Sequence, residues 1–149
     1  MNAQNSCCVA NSSVVGLDLR QCNISQIDET MFGSLSDHLK SIRIIDLSEN
    51  AFDDSVVEQN AFRGMVVLET LVVPSTHNFS FCPGQWQQWH QVSYESSDTV
   101  CYGGQSDFCL LTDFECPQNN SNSVCANDGP GLVQCVCKEG FHGYKCLKK

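Results

Sequence analysis

The chain has no run of the ~18 apolar residues that would read as a membrane-spanning helix. Its first residues, Met1-Asn2-Ala3-Gln4-Asn5, lack the apolar stretch of a secretory leader. Cations are scarce: 8 Lys and Arg stand against 17 Asp and Glu, for a net charge of -9. That balance excludes the basic footprint of a nucleic-acid binder. No two cysteines have the C-x-x-C spacing, and none of the 4 histidines falls in a ligand array, which argues against zinc. No serine–histidine–acid arrangement, nucleophile elbow or phosphate loop is legible, so no enzyme is expected. No cofactor is expected either.

Cysteine, by contrast, is abundant, with 11 in 149 residues. A reducing cytosol would keep those thiols unpaired, so the count points to an oxidising compartment. Disulfide chemistry without a leader suggests a portion of a longer secreted precursor. Four N-x-S sequons, at Asn11, Asn23, Asn78 and Asn119, are candidate glycosylation sites on the same route. The acidity is uneven: residues 1–100 hold 12 acids against 4 Lys and Arg, and residues 101–149 hold 5 against 4. It keeps the first part soluble and disfavours anionic partners there.

The first half is periodic. The leucine-rich pattern L-x-x-L-x-L-x-x-N/C-x-L is filled by Val14, Leu17, Leu19, Cys22 and Ile24. Ile42, Ile45, Leu47, Asn50 and Phe52 fill it again 28 residues later, and Leu68, Leu71 and Val73 begin it a third time. Pro74 and Thr76 then break it. Alternate strand residues face one side, so the fourth and sixth slots point inward together. The Asn or Cys slot is expected to satisfy backbone groups where the chain leaves the strand. Phe32 and Phe62 are expected to pack into the same core from the return segments. Between residues 77 and 101, Pro83, Trp86 and Trp89 read as a capping helix with its indoles over the open end of the core. A Cys82–Cys101 bridge is expected across that cap.

The last six cysteines are Cys109, Cys116, Cys125, Cys135, Cys137 and Cys146, separated by six, eight, nine, one and eight residues. With Gly140-Phe141 and Gly143 inside the final loop, this segment resembles an EGF-like module. That resemblance implies the pairing Cys109–Cys125, Cys116–Cys135 and Cys137–Cys146, because six cysteines alone allow 15 connectivities. A unit this small replaces a core with bridges. Calcium is not expected, since Asp107 is the one carboxylate just before the first cysteine and calcium wants six to eight oxygens. Cys22 is read either as a buried thiol or as a bridge partner. Cys7 and Cys8 are expected to pair outside this chain; as a redox centre they lack both a base and a C-x-x-C spacing.

The expected architecture is therefore a short leucine-rich-repeat solenoid followed by a disulfide-rich EGF-like β module. The solenoid would have a parallel β layer, irregular or helical return segments and a helical carboxy-terminal cap. The boundaries are 1–13 for an amino-terminal cap remnant, 14–76 for repeats, 77–101 for the cap and 102–149 for the EGF-like unit. Outward strand positions are candidate contacts for a partner: Asp18, Arg20, Asp46, Ser48 and Val72. Asp18 and Asp46 would stack ~5 Å apart on neighbouring strands, and such like charges call for a cation, expected from a partner. His142 and Tyr144 are candidates on the EGF-like unit, with Phe141 structural.

Three strings are distinctive: Val15-Gly-Leu-Asp-Leu-Arg20, Ala61-Phe-Arg-Gly64, and Asp128-Gly-Pro-Gly-Leu-Val-Gln-Cys-Val-Cys-Lys-Glu-Gly-Phe-His-Gly-Tyr-Lys-Cys146. On these the chain resembles the family of all-trans retinoic acid-induced differentiation factors, from about Cys7 to Cys146 and most thinly over residues 28–40. The resemblance implies a type I membrane glycoprotein whose leader and transmembrane helix lie outside this chain. It implies lysosomal and cell membranes, with this portion on the lumenal or extracellular side. It further implies roles in osteoblast differentiation and growth control. The partner it implies is a lysosomal solute carrier exporting nitrogen-containing bisphosphonates, which the protein stabilises. Two rivals remain open: a soluble EGF-type ligand for a cell-surface receptor, and a glycosylated shield protecting an anchored partner from lumenal proteases.

Overall fold

A computed structural model describes residues 6–10, 13–52, 58–74, 82–83, 89, 91–94, 98–103, 107–112, 114–116 and 122–149. Six strands form one mixed sheet. In chain order they are β1 (Ser6–Ala10), β2 (Ser13–Asp18), β3 (Ile44–Asp46), β4 (Thr70–Pro74), β5 (Gln91–Tyr94) and β6 (Asp98–Tyr102). Their order across the sheet is β1-β2-β3-β4-β6-β5. The central strands β2, β3 and β4 are parallel, with Leu17, Ile45 and Leu71 in one register row. Antiparallel β1 covers one side of them, and antiparallel β6 and β5 the other.

Alternation explains the core. Leu17, Ile45 and Leu71 point inward and are at most 3 % exposed, while Ile44, one residue away, is 51 % exposed. Cys101 continues the inward row on β6 and is fully buried. Phe32 and Phe62 meet beneath the sheet with ring centroids 6.0 Å apart, in a tilted arrangement suited to aromatic pairs. Ile27, Ile42, Met65 and Leu68 complete one continuous cluster. Each fully buried aliphatic side chain contributes about 1.5–3 kcal/mol.

Asn50 is buried where β3 ends. Its amide donates to the carbonyls of Leu19 and Leu47, both at 2.8 Å, and its Oδ1 accepts from the Ile24 N–H at 3.0 Å. One side chain thus satisfies backbone groups of two successive passes of the chain. Cys22, half-buried, keeps its thiol, with Sγ 3.4 Å from the Arg20 carbonyl.

The leucine-rich-repeat solenoid is overturned. Among the described residues, only β2, β3 and β4 run parallel, and antiparallel strands close the sheet on both sides, so equal units do not stack onward. The described parts of the return segments are irregular, as expected of them, with isolated 3₁₀ turns at Gly33–Leu35, Leu39–Ser41 and Gln59–Phe62. The physical reason is that the periodic pattern reports which side chains of a strand face inward. Three neighbouring strands of a mixed sheet satisfy it as well as a solenoid does. The capping helix expected around Pro83, Trp86 and Trp89 falls on a segment whose residues 84–88 lie outside the described residues. Within residues 77–101 the described elements are β5 and most of β6, an antiparallel pair. Cys82 is bonded to Cys101, and Trp89 is buried with its Nε1 donating to the Pro83 carbonyl at 2.8 Å. Trp86 lies outside the described residues.

The carboxy-terminal part has a different economy of structure. A four-residue helix α1 (Phe108–Leu111) starts at Asp107, whose carboxylate accepts from the Cys109 N–H. A hairpin of β7 (Ser123–Asn127) and β8 (Val133–Cys137) forms a separate two-stranded sheet. Three disulfides tie it: Cys109–Cys125, Cys116–Cys135 and Cys137–Cys146. This is the pairing that the EGF-like resemblance implies.

The two parts are docked through the hairpin turn. Asp128 is 7 % exposed, and its carboxylate takes Arg63 Nη1 at 2.6 Å and Gln134 Nε2 at 3.2 Å. Its carbonyl accepts from the Gly64 N–H at 2.8 Å. Gly129 follows with φ +116°, and a Cβ there would lie 2.3 Å from the Phe62 carbonyl oxygen. Pro130, next in line, is fully buried. Phe62 belongs to the apolar cluster, so the hairpin turn rests directly on the backbone of a core residue.

Candidate recognition surface

The outward face of the six-stranded sheet gathers five of the expected contact residues. Asp18 and Asp46 are register partners on β2 and β3, and Val72 continues that row on β4. The expected crowding of the two carboxylates is real, but the cation comes from within the chain. Arg20 grips Asp18 in a forked pair, Nη2 to Oδ2 at 2.7 Å and Nε to Oδ1 at 2.9 Å, and its Nε lies 3.8 Å from Asp46 Oδ2. The Arg20 hydrogen bond, through its side chain first and its backbone N–H second, holds the Asp18 carboxyl at about 2, well below the ordinary range. The same bond raises the Arg20 guanidinium above its usual value. Asp46 is further engaged by Ser48, whose N–H and hydroxyl both reach Oδ1, at 2.9 and 2.6 Å.

These four polar residues therefore form a self-satisfied cluster. Ser48 is mostly buried, at 7 % exposure, and its hydroxyl is committed to Asp46. Arg20 stays about half exposed at its side chain and can still offer donor groups outward. Gln21 and Glu49 are hydrogen-bonded alongside, and Arg43 pairs with Glu69 beyond the next row.

That next row is Gly16, Ile44, Thr70 and Tyr102. Ile44 is 51 % exposed and Tyr102 41 %, so an aliphatic and an aromatic side chain stand on either side of Thr70. Apolar and aromatic groups ringed by charged pairs have the composition of an interface centre with a polar rim. Tyr102 was missed as a candidate. Its signal was the alternation Val100-Cys101-Tyr102, legible only once residues 98–102 are read as a strand beside β4.

His142 and Tyr144 lie on the EGF-like unit, apart from that cluster. His142 and Lys148 form an isolated antiparallel bridge, and Tyr144 is 80 % exposed with Lys145 Nζ 5.3 Å from its ring centroid. Phe141 is half-buried. Of the four sequons, Asn23 is exposed in a left-handed backbone conformation, φ 55°. Asn11, Asn78 and Asn119 lie outside the described residues. Asp107 is occupied as the cap of α1. Among the described residues there is no group of three or more His, Cys, Asp or Glu placed to hold a metal ion. A cavity of about 380 Å³ opens between β2 and the first return segment, lined by apolar side chains, the Cys22 thiol and Ser34. It holds no charged group.

The molecule is thus a β-rich chain of small sheets whose carboxy-terminal part is a disulfide-stapled EGF-like unit. Residues 116–148 match the family described as ATRAID-like, EGF domain. Three curated proteins, all named all-trans retinoic acid-induced differentiation factor, are similar over nearly the whole chain. The mouse (Mus musculus) protein is 37 % identical over 149 residues, covering 98 % of this chain and 60 % of its own length. The human (Homo sapiens) protein is 37 % identical over 146 residues, covering 96 % and 58 %. The Danio rerio protein is 33 % identical over 151 residues, covering 96 % and 59 %. This chain is a relative of the all-trans retinoic acid-induced differentiation factors, as the resemblance indicated. It spans about three fifths of the length of those relatives. No solved structure matches it.

Proposed function

We propose that this chain is the lumenal or extracellular recognition portion of a non-enzymatic protein that binds and stabilises a membrane partner. The observation that carries the reading is the outward row Ile44–Thr70–Tyr102 beside the Asp18–Arg20–Asp46 cluster. Its apolar members are exposed on a sheet backed by a continuous core, so they are displayed with little freedom to lose on binding. The polar side chains around them are engaged in structural bonds with one another, which suits a surface rather than a reaction centre.

The name of the relatives supports a part in differentiation. By the same resemblance the partner is a lysosomal solute carrier exporting nitrogen-containing bisphosphonates, in lysosomal and cell membranes. The resemblance also carries the roles in osteoblast differentiation and growth control. The test is a pull-down of the intact partner with Asp18→Lys/Asp46→Lys and, separately, Tyr102→Ala. Loss of about tenfold or more in affinity is expected from Tyr102→Ala if it is a central contact. Unchanged binding by both variants removes this surface from the proposal.

A second reading is a soluble EGF-type ligand, favoured by the exposure of Tyr144 on the EGF-like unit. Adding the purified chain to cells that lack the native protein separates the two. A receptor response favours the ligand, and silence with retained partner binding favours the stabiliser.

A further inference from the structure

We propose that the tip of the EGF-like unit, residues 142–149, is a docking surface for an anionic lipid bilayer. Charge is the first observation. Residues 1–137 carry 16 acids against 4 cations, whereas residues 138–149 carry 4 lysines against one acid, Glu139. Half of the chain's cations are thus confined to its last 12 residues. An anionic surface would attract this end and repel the remainder, which sets an orientation as well as an affinity.

The second observation is what stands among those lysines. Tyr144 is 80 % exposed and Leu147 66 %. Lys145 holds its ammonium over the Tyr144 ring, and the stem of Lys148 lies against Gly143, where a Cβ would come within 3.2 Å of its Cδ. Lysines with packed stems beside exposed tyrosine and leucine are suited to a bilayer interface. There aromatic and aliphatic groups sink to the headgroup level while ammonium groups stay with the phosphates.

The third observation is that the tip is already ordered. The Cys137–Cys146 bridge closes the loop, and the His142 and Lys148 backbones exchange hydrogen bonds at 2.8 and 3.1 Å. Little conformational freedom is left to lose on contact. A soluble acidic protein would also meet the lysines. It would not on that account require two apolar side chains projecting singly from a tip, whereas a fluid interface accepts them without a preformed pocket.

The proposal is independent of the partner-binding row on the large sheet, and its test leaves that row untouched. The full chain, secreted with its disulfides formed, is floated with vesicles of phosphatidylcholine containing phosphatidylserine and with vesicles of phosphatidylcholine alone. Binding is expected to the anionic vesicles only, and to weaken as salt rises. Lys145→Ala/Lys148→Ala/Lys149→Ala is expected to lower it by about a hundredfold, on about fivefold per lysine. Tyr144→Ser/Leu147→Ser is expected to lower it by about tenfold. All five side chains changed at the exposed tip leave the four disulfides in place, which peptide mapping without reduction verifies. Absence of binding to the anionic vesicles overturns the proposal, as does equal binding to neutral ones. Binding to soluble polyglutamate that depends on the lysines but not on Tyr144 and Leu147, with vesicle binding following the same pattern, marks an acidic protein partner and also overturns it.

Discussion

The large sheet and the EGF-like unit solve one problem with different means. The sheet buries Leu17, Ile45, Leu47, Leu71, Val73 and both core phenylalanines in a continuous cluster. Among the described residues, the EGF-like unit contributes none to that cluster. Its buried side chains are few, among them Cys146, Asp128 and Pro130, and three bridges span its short length. A chain of that size cannot remove enough apolar surface from water to offset its conformational entropy, so covalent links restrict the unfolded state instead. The difference teaches that exposure of apolar side chains means different things in the two parts. On the sheet, Ile44 and Tyr102 are exceptions to an inward pattern. On the EGF-like unit, whose described residues bury few side chains, exposure is common, as at Leu110, so what sets Tyr144 and Leu147 apart is the lysines around them.

Substitutions sharpen the contrast. The largest effect is expected from Leu71→Ala, which opens a cavity in the fully buried centre of the sheet and costs about 2–5 kcal/mol. Denaturant unfolding monitored at buried Trp89 would report it, while the three carboxy-terminal bridges stay formed. Gly129→Ala is expected to cost about 2 kcal/mol or more, because the residue sits at φ +116° with the Phe62 carbonyl in the way. Its signature is loss of hydrogen-exchange protection at the Gly64 amide, which bonds to Asp128, without loss in the centre of the sheet. Asn50→Ala leaves the Leu19 and Leu47 carbonyls and the Ile24 amide without their partner, for about 1–3 kcal/mol in thermal unfolding.

The smallest effect concerns acid. The folded-state pKa of Asp18 is depressed to about 2 from 3.8 by its hydrogen bonds from Arg20. A carboxyl so shifted stabilises the fold above pH 3.8 and loses that contribution as pH falls toward 2. Asp18→Asn should therefore flatten the acid limb of the stability curve slightly within that window. Direct titration of the carboxyl by NMR checks the premise, and an ordinary midpoint would remove it.

Much of the sheet was legible because strand alternation is a local property. The inward slots at residues 17, 19, 45, 47, 71 and 73 are buried as the pattern required, and Asn50 bonds to backbone as its slot suggested. What the pattern could not carry was direction and ending. Parallel strands inside a mixed sheet and parallel strands inside a solenoid present the same side-chain period, so the antiparallel flanks β1, β5 and β6 went unread. Proline followed by two tryptophans suggested a helix on a segment whose centre lies outside the described residues; of it, Trp89 is buried, as a closing indole should be, with its Nε1 donating to the Pro83 carbonyl. The candidate surface was partly legible too. Asp18 and Asp46 do stand side by side, but Arg20, two residues along from Asp18, supplies the cation that a partner was expected to bring. The Arg63–Asp128 pair joins residues 65 positions apart and had no local signal.

The most direct test of the division between a core-built sheet and a bridge-built unit is hydrogen exchange on Cys116→Ala/Cys135→Ala, read peptide by peptide. The account predicts that residues 107–149 lose about 2–4 kcal/mol of protection while β2, β3 and β4 keep theirs. Uniform loss across both parts, or full protection of the β7–β8 hairpin without that bridge, would contradict it.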